Sequence, residues 1–144
     1  MTTNSENKEI GGYFELELPT QKEYWTNALK LNCARNALRY IIRAYTIKEI
    51  NIPFYTCPVV WQAARSENCK IKFYHLDKNF MPAQNFGEND FVLYTNYFGI
   101  CTKNAQILAK KYKNLILDNA QSFFTEKIGL ASFNSSRKFF YNLP

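Results

Sequence analysis

The feature that most constrains the fold is an alternation of short apolar runs with amphipathic segments. The two segments at 58–65 and 103–113 carry apolar residues at helical spacing. Apolar runs that predict strands surround them, at 11–18, 48–54, 70–76, 91–95, 114–118 and 129–133. Strands and helices that alternate in this way form a mostly parallel sheet flanked by helices and joined by right-handed crossovers. The sequence therefore predicts an α/β fold.

The amino-terminal part is predicted in four pieces. Residues 1–10 are mostly polar and are expected to be flexible, and 11–18 alternate as a half-buried strand that Pro19 ends. A short helix is expected over 21–29. From Ala34 the apolar residues again fall at helical spacing, so 32–36 should form the first turn of a longer helix. The free N–H groups of such a turn suit a phosphate.

Three polar residues follow the strands near the end of the chain. Asp118 closes the buried run 114–118, Gln121 comes three residues later, and Lys138 lies in a Ser/Phe-rich stretch. Because the carboxyl ends of parallel strands share one edge, an acid, an amide and an amine could converge there. The trio suits pyridoxal phosphate, which needs a lysine for a Schiff base, an acid for its pyridine nitrogen and a polar group near its ring oxygen. On the residues alone two other interpretations stay open, that Asp118 caps a turn or a helix and that Lys138 is a solvated charge.

The motifs taken together resemble the DegT/DnrJ/StrS group of sugar aminotransferases, within the aspartate-aminotransferase fold. Asp118-x-x-Gln121 is followed by a Ser/Phe-rich segment that ends in Lys138, and 31–38, 53–56 and 96–99 fall in the family's order. The resemblance runs from about residue 11 to the last residue. The family's chains are much longer, so 11–144 is expected to be a partial cofactor-binding large domain, without the rest of that domain and the small carboxy-terminal one.

The resemblance implies a role for each residue near the cofactor. Lys138 would carry the cofactor and move the substrate proton, Asp118 would pair with the pyridine nitrogen, and Gln121 would lie near the 3-hydroxyl. Ser135 or Ser132 would add a hydrogen bond to the phosphate.

The family also holds the phosphate at the helix start, which here is Ala34 and Arg35, with Ala34 where glycine is usual. The alternative for this turn is that Asn32 merely caps a core helix.

Tyr55 and Thr56 follow a strand at its carboxyl end and are cofactor-binding candidates. In the family an aromatic residue near this threonine stacks on the pyridine ring. By the simplest alignment Cys57 takes that position, so either Tyr55 replaces it or the stacking is lost. A tyrosine packed in the core is the alternative for Tyr55. Asn96 and Tyr97 are further candidates, because the family places this connection beside the cofactor.

Composition excludes several other classes of protein. The four cysteines are scattered and His75 is the only histidine, which argues against a zinc site and against a disulfide framework. The net charge of +6 is spread along the chain, which argues against nucleic-acid binding. No apolar run approaches the roughly 20 residues of a membrane helix, and no secretory signal is present, so a cytoplasmic protein is expected.

The expected function is therefore that of a pyridoxal-phosphate-dependent aminotransferase of the DegT type. The resemblance implies a nucleotide-linked keto-sugar as substrate, an amino donor such as glutamate, a homodimer, and a place in surface-polysaccharide or secondary-metabolite biosynthesis. Two alternatives remain open. The chain could be a non-catalytic remnant of such an enzyme, because half of the cleft would be missing, or an anion- or nucleic-acid-binding module.

Overall fold

The computed structural model describes residues 23–139, and the chain divides after Lys30 into two compact units. The expectations of a flexible 1–10 and a strand at 11–18 lie outside the described residues. In the first unit, residues 23–30 form turns, and Lys30 pairs with Glu23 at 2.6 Å. The helix expected over 21–29 is therefore wrong for 23–29, where Thr26 and Asn27 favour turns over helix.

The second unit contains three helices and five strands among its described residues. The chain forms α1 (Ala34–Ala44), β1 (Glu49–Pro53), α2 (Pro58–Ser66), β2 (Lys70–Tyr74), β3 (Val92–Thr95), α3 (Thr102–Lys111), β4 (Leu115–Asn119) and β5 (Ala131–Asn134). Two short 3-10 turns follow β3 and β5, at Tyr97–Gly99 and Ser136–Lys138. The predicted strands and helices of this unit are all present, with ends that differ by a few residues.

All five strands run parallel in the order β2-β1-β3-β4-β5. The fold class is thus confirmed as an α/β fold with a parallel sheet flanked by helices. The chain leaves β1 toward β2 on one side, and β3 then lies on the other side of β1. Such a reversal opens a crevice at the carboxyl ends of the two diverging strands, and ligands of parallel sheets bind in crevices of this kind.

Helices cover both faces of the sheet. On one face α1 and α2 pack through Leu38, Ile42 and Ala63 against Ile52 and Ile116. On the other face α3 packs through Ala105 and Leu108 against Tyr94, Leu115 and Leu117. Because successive strand residues point to opposite faces, β4 contributes Ile116 to the first core and its neighbours to the second. Each buried Leu or Ile contributes about 1.5–3 kcal/mol relative to an exposed one.

A glycine fixes the return of the chain to the sheet edge. Gly129 has a φ of 78°, and a Cβ placed there would lie 2.6 Å from the carbonyl oxygen of Leu115. The next residue, Leu130, donates its N–H to that same oxygen at 2.8 Å. Only glycine tolerates both the left-handed backbone and this close approach, so Gly129 sets where β5 begins. Within residues 23–139, no helix has the length and apolar character needed to cross a membrane.

Candidate functional site

A cleft of about 610 Å³ lies at the carboxyl ends of β1, β3, β4 and β5. Its volume falls in the range of small-molecule sites. Nine of the eleven residues predicted from the sequence line it, namely Ala34, Arg35, Tyr55, Thr56, Tyr97, Asp118, Gln121, Ser135 and Lys138. The fold therefore brings together residues that are more than 100 positions apart in the chain.

Asp118 is the buried acid of the cleft. Asp118 is only 5% exposed, and its Oδ1 accepts a hydrogen bond from the N–H of Ala120 at 2.8 Å. Burial raises the pKa of Asp118 to about 6, and the Ala120 N–H and the charge of Lys138 lower that pKa in part. No side chain of residues 23–139 forms an ion pair with this carboxylate. At neutral pH Asp118 is thus a buried anion that a cationic group would stabilise.

Lys138 reaches the same cleft from the 3-10 turn after β5. Its N–H donates to the carbonyl oxygen of Ser135 at 3.2 Å, and its side chain is exposed. Arg137 and Arg35 also line the cleft. Arg137 was missed by the sequence interpretation, and the only available signal was its position beside Lys138. Three cationic side chains and one carboxylate give the cleft a net positive charge, which suits an anionic ligand.

Gln121 is fixed by a backbone group from another loop. Its Oε1 accepts a hydrogen bond from the N–H of Phe98 at 2.8 Å. This bond assigns the oxygen of the amide, so the NH₂ group is left as a donor, and it has no partner among the described residues. Phe98 and Gly99 both have left-handed backbones, with φ of 54° and 76°. Gln121 therefore holds a strained turn at the edge of the cleft while keeping two donors available.

The first turn of α1 contributes unpaired N–H groups. Cys33 is the N-cap residue and makes no side-chain cap bond, and the first intrahelical bond joins the Ala37 N–H to the Cys33 oxygen. The N–H groups of Ala34 and Arg35 therefore lack intrahelical partners. Asn32 is not the cap, because its Oδ1 instead accepts from the side chain of Asn36 at 2.7 Å. This turn can bind an anion through its N–H groups and its dipole.

Two tyrosines form an aromatic wall of the cleft. The Tyr55 ring is 61% exposed and stacks on Tyr97, with centroids 5.7 Å apart and 16° between planes. The Tyr97 hydroxyl donates to the Tyr55 carbonyl oxygen at 2.8 Å, and burial raises the pKa of Tyr97. Thr56 lies 3.3 Å from Thr95 through their hydroxyl oxygens. Tyr55 is thus a surface residue of the cleft and not part of the core.

The two candidate serines differ in position. The Ser132 hydroxyl donates to the Ile128 carbonyl oxygen at 3.0 Å and accepts from the Ile128 N–H at 3.1 Å, so it closes the loop before β5. Ser132 does not line the cleft, whereas Ser135 does. The Ser-Phe pattern in the sequence did not distinguish these roles, because the loop bond depends on the turn at Ile128. Among residues 23–139 no cluster of three or more His, Cys, Asp or Glu side chains is placed to hold a metal ion.

Comparison with known proteins finds likeness only in solved structures. The sequence matches no protein-family model and no curated protein. The fold is similar to that of L-threonine-O-3-phosphate decarboxylase from Porphyromonas gingivalis, with a TM-score of 0.53, 16% identity, and coverage of 70% of this chain and 36% of the other. Histidinol-phosphate aminotransferase from Clostridium acetobutylicum also matches, with a TM-score of 0.48, 19% identity, and coverage of 62% and 30%. Of these two structures, the decarboxylase is the one that supports the fold assignment. The chain spans about a third of the length of these structures.

Proposed function

We propose that this chain forms the cofactor-binding part of a pyridoxal-phosphate-dependent enzyme. The observation that carries the proposal is the placement of Asp118, a buried carboxylate with no ion pair among the described residues, in one cleft with Lys138 and Gln121. A protonated pyridine nitrogen is a cation of the right chemistry for that carboxylate. The likeness in fold to L-threonine-O-3-phosphate decarboxylase agrees with an anionic, phosphate-bearing ligand.

The residues present fit the cofactor group by group. The unpaired N–H groups of Ala34 and Arg35 at the start of α1 would hold the phosphate, with Ser135 as a further hydroxyl partner. The free NH₂ of Gln121 would donate to the ring oxygen. The Tyr55 ring, which is exposed and lines the cleft, would offer an apolar face to the pyridine. Each group of the cofactor thus has a partner of suitable charge or polarity in the cleft.

Bound pyridoxal phosphate supplies an electron-withdrawing pyridinium ring, and its proton must be kept by the protein. Ionised Asp118 does this by stabilising the positive charge at the ring nitrogen. The Lys138 amine would attach the cofactor and, once released, would move a proton at the substrate carbon.

The finer form of the proposal is an aminotransferase of the DegT type acting on a nucleotide-linked keto-sugar. It is supported by the order of the motifs, by the Asp118-x-x-Gln121 spacing and by the cationic Arg35 and Arg137, which suit a diphosphate. Glutamate as amino donor, a homodimer and a cytoplasmic location belong to the same proposal. With a nucleotide-linked keto-sugar and glutamate, the expected product is 2-oxoglutarate, measured with a coupled dehydrogenase. If the cofactor-loaded chain forms no 2-oxoglutarate, the DegT form of the proposal is wrong.

A second candidate is a chain that binds the cofactor without turnover. The cleft described here would then be one part of a larger site. Cofactor binding together with an absence of turnover distinguishes this candidate from the enzyme.

The test is reduction of the cofactor onto the protein. The 144-residue chain is incubated with pyridoxal phosphate, reduced with borohydride and mapped by peptide mass spectrometry. We expect the cofactor on Lys138 and its loss in Lys138→Arg, because arginine cannot form the bond. Lys103→Arg, at an α3 residue that does not line the cleft, is the matched control and should label normally. Labelling at another lysine with Lys138 unmodified contradicts the proposal.

A further inference from the structure

Asn96 is the most completely buried polar residue at the carboxyl edge of the sheet. It follows β3 and has no exposed surface. Its Nδ2 lies within hydrogen-bond distance of three side-chain oxygens, at 3.1 Å from Thr102, 3.2 Å from Asn119 and 3.4 Å from Thr125. These residues come from the start of α3, the end of β4 and the loop after β4. One amide therefore joins the start of α3, the end of β4 and the loop after β4.

The backbone of Asn96 is bonded to the same region. Its N–H donates to the Asp118 carbonyl oxygen at 2.9 Å, and its own carbonyl oxygen accepts from the Gly99 N–H at 3.3 Å. The turn that includes Gly99 is in turn attached to Gln121 through the Phe98 N–H. Asn96 is thus connected by short paths to the acid and to the amide of the candidate site, without lining the cleft itself.

The network lies behind the cleft. Asn119 and Asp118 are neighbours on β4, so their side chains point to opposite faces. Asn119 is held by Asn96 on the α3 face, while Asp118 faces the cleft. Fixing Asn119 therefore fixes the direction of Asp118.

The buried side-chain amide of Asn96 also destabilises the fold in a way that an apolar side chain would not. Asn96 Oδ1 is buried and has no hydrogen-bond partner within residues 23–139. A buried unpaired acceptor is destabilising, so an apolar residue would serve a purely structural role better. A buried polar network is instead suited to selecting one arrangement of the loops.

We propose that Asn96 is a positioning residue that sets Asp118 and Gln121 from behind the sheet. The inference rests on the proposed function for its purpose, but its test does not require cofactor. The contacts of Asn96 with α3, β4 and the loop after β4 exclude water from the base of Asp118 and fix the turn that Gln121 holds. Loosening the network should admit water to Asp118 and release Gln121.

The experiment compares Asn96→Ala with Asn51→Ala. Asn51 is also a buried asparagine, but it lies in the middle of β1, its Nδ2 donates to the Phe91 carbonyl oxygen at 3.1 Å, and it does not line the cleft. In each variant the titration midpoint of the Asp118 carboxyl is followed by carbon-13 NMR, the unfolding temperature is recorded, and the dissociation constant for pyridoxal phosphate is measured by fluorescence.

We expect Asn96→Ala to lower the Asp118 midpoint from about 6 toward 3.8, because burial is the largest cause of its elevation. Binding of pyridoxal phosphate should weaken by roughly 10-fold, while Asn51→Ala should lower the unfolding temperature and leave midpoint and binding unchanged. If Asn96→Ala does not fold, Thr102→Val removes one acceptor at nearly constant shape and should shift the midpoint in the same direction.

An unshifted Asp118 midpoint in the folded Asn96→Ala variant overturns the proposal. If that variant does not fold, an unshifted Asp118 midpoint in Thr102→Val overturns it. Equal shifts in the Asn51→Ala control also overturn it. If the unmodified chain does not bind pyridoxal phosphate, the proposed function fails, and the midpoint still decides the role of Asn96.

Discussion

The N–H of Phe98 donates to the side-chain oxygen of Gln121 at 2.8 Å while Phe98 holds a left-handed φ of 54°. A non-glycine residue in this region costs about 1–3 kcal/mol, so the surrounding contacts must maintain it. Gln121 supplies one of these contacts through its oxygen and leaves its nitrogen for a ligand. One amide therefore combines a structural contact with a binding group, and the two can be separated by mutation.

Two substitutions of Gln121 separate these roles. Gln121→Glu keeps an oxygen acceptor for the Phe98 N–H but replaces the NH₂ donors with a negative charge. Stability should change little, while binding of pyridoxal phosphate should weaken, because the charge lies near an anionic ring oxygen. Gln121→Ala should lose about 1 kcal/mol of stability as well. Denaturant unfolding and cofactor titration measure both effects, and identical behaviour of the two variants would contradict the assignment.

Asp118→Asn should stabilise the cofactor-free chain at neutral pH. Burial raises the pKa of Asp118 from 3.8 to about 6, so the folded state binds the proton more tightly than the unfolded state does. The buried charge therefore lowers the free energy of unfolding. This loss is absent below about pH 4, grows between pH 4 and pH 6, and reaches about 3 kcal/mol above pH 6. Asparagine carries no charge and can still accept from the Ala120 N–H.

Unfolding free energies of Asp118→Asn and of the unmodified chain should therefore be similar at pH 4 and differ at pH 7. The same variant should bind pyridoxal phosphate more weakly at pH 7, because the pyridinium loses its counter-charge. Lower stability of the variant at both pH values would show that Asp118 is not a buried charge of this kind.

Gly129→Ala should be strongly destabilising. A Cβ at Gly129 would meet the Leu115 carbonyl oxygen at 2.6 Å, and the residue has a φ of 78°. Backbone strain and displacement of the β4–β5 edge should together cost more than about 2 kcal/mol. Gly87→Ala is the control, because its Cβ would meet only the Asp90 side chain at 3.3 Å and that side chain can move. Comparable losses in the two variants, measured by urea unfolding, would refute the prediction.

Glu67 joins the end of α2 to α1, and its removal should lower stability in a pH-dependent way. Its carboxylate accepts from Arg39 Nε at 2.6 Å and from Arg43 Nη2 at 2.9 Å. Hydrogen bonds from Arg43 and then Arg39 lower the pKa of Glu67 to about 2. The contribution is therefore complete above pH 4.5 and is lost as the pH falls through about 2.

Glu67→Gln should thus lower the unfolding temperature at pH 7 and have little effect near pH 2. Glu88→Gln is the matched control, since the side chain of Glu88 is 86% exposed and, among the described residues, pairs with Lys113 alone at 3.5 Å. An exposed pair of this kind contributes little to stability. A larger loss from Glu88→Gln than from Glu67→Gln would contradict this view of the two pairs.

The sequence predicted the strands and the acid of the site because both depend on local patterns. The run that ends at Asp118 is apolar throughout, and a buried strand with a polar end is visible without any knowledge of its neighbours. β4 indeed ends one residue after Asp118. The start of α1 was visible for the same reason, since apolar residues recur at helical spacing from Ala34 onward.

Other features depended on contacts between distant residues. The burial of Asn96 follows from loops that meet only after the sheet forms, and nothing near it in the sequence indicates three partners. The left-handed Phe98 carries no local signal either, because phenylalanine disfavours that conformation. The strand order was likewise hidden, since alternation of strands and helices is compatible with several orders.

The reversal of strand order also determines where the sheet is mechanically weakest. β1 and β3 share a single register pair, Asn51 with Val92, whereas β3 and β4 share four. Under a pulling force, or during native-state hydrogen exchange, β1 and β2 should separate from the other three strands at this seam. The cleft lies across the seam, with Tyr55 and Thr56 on one side and Asp118 and Gln121 on the other. A ligand that contacts residues on both sides would bridge the two groups of strands and slow their separation.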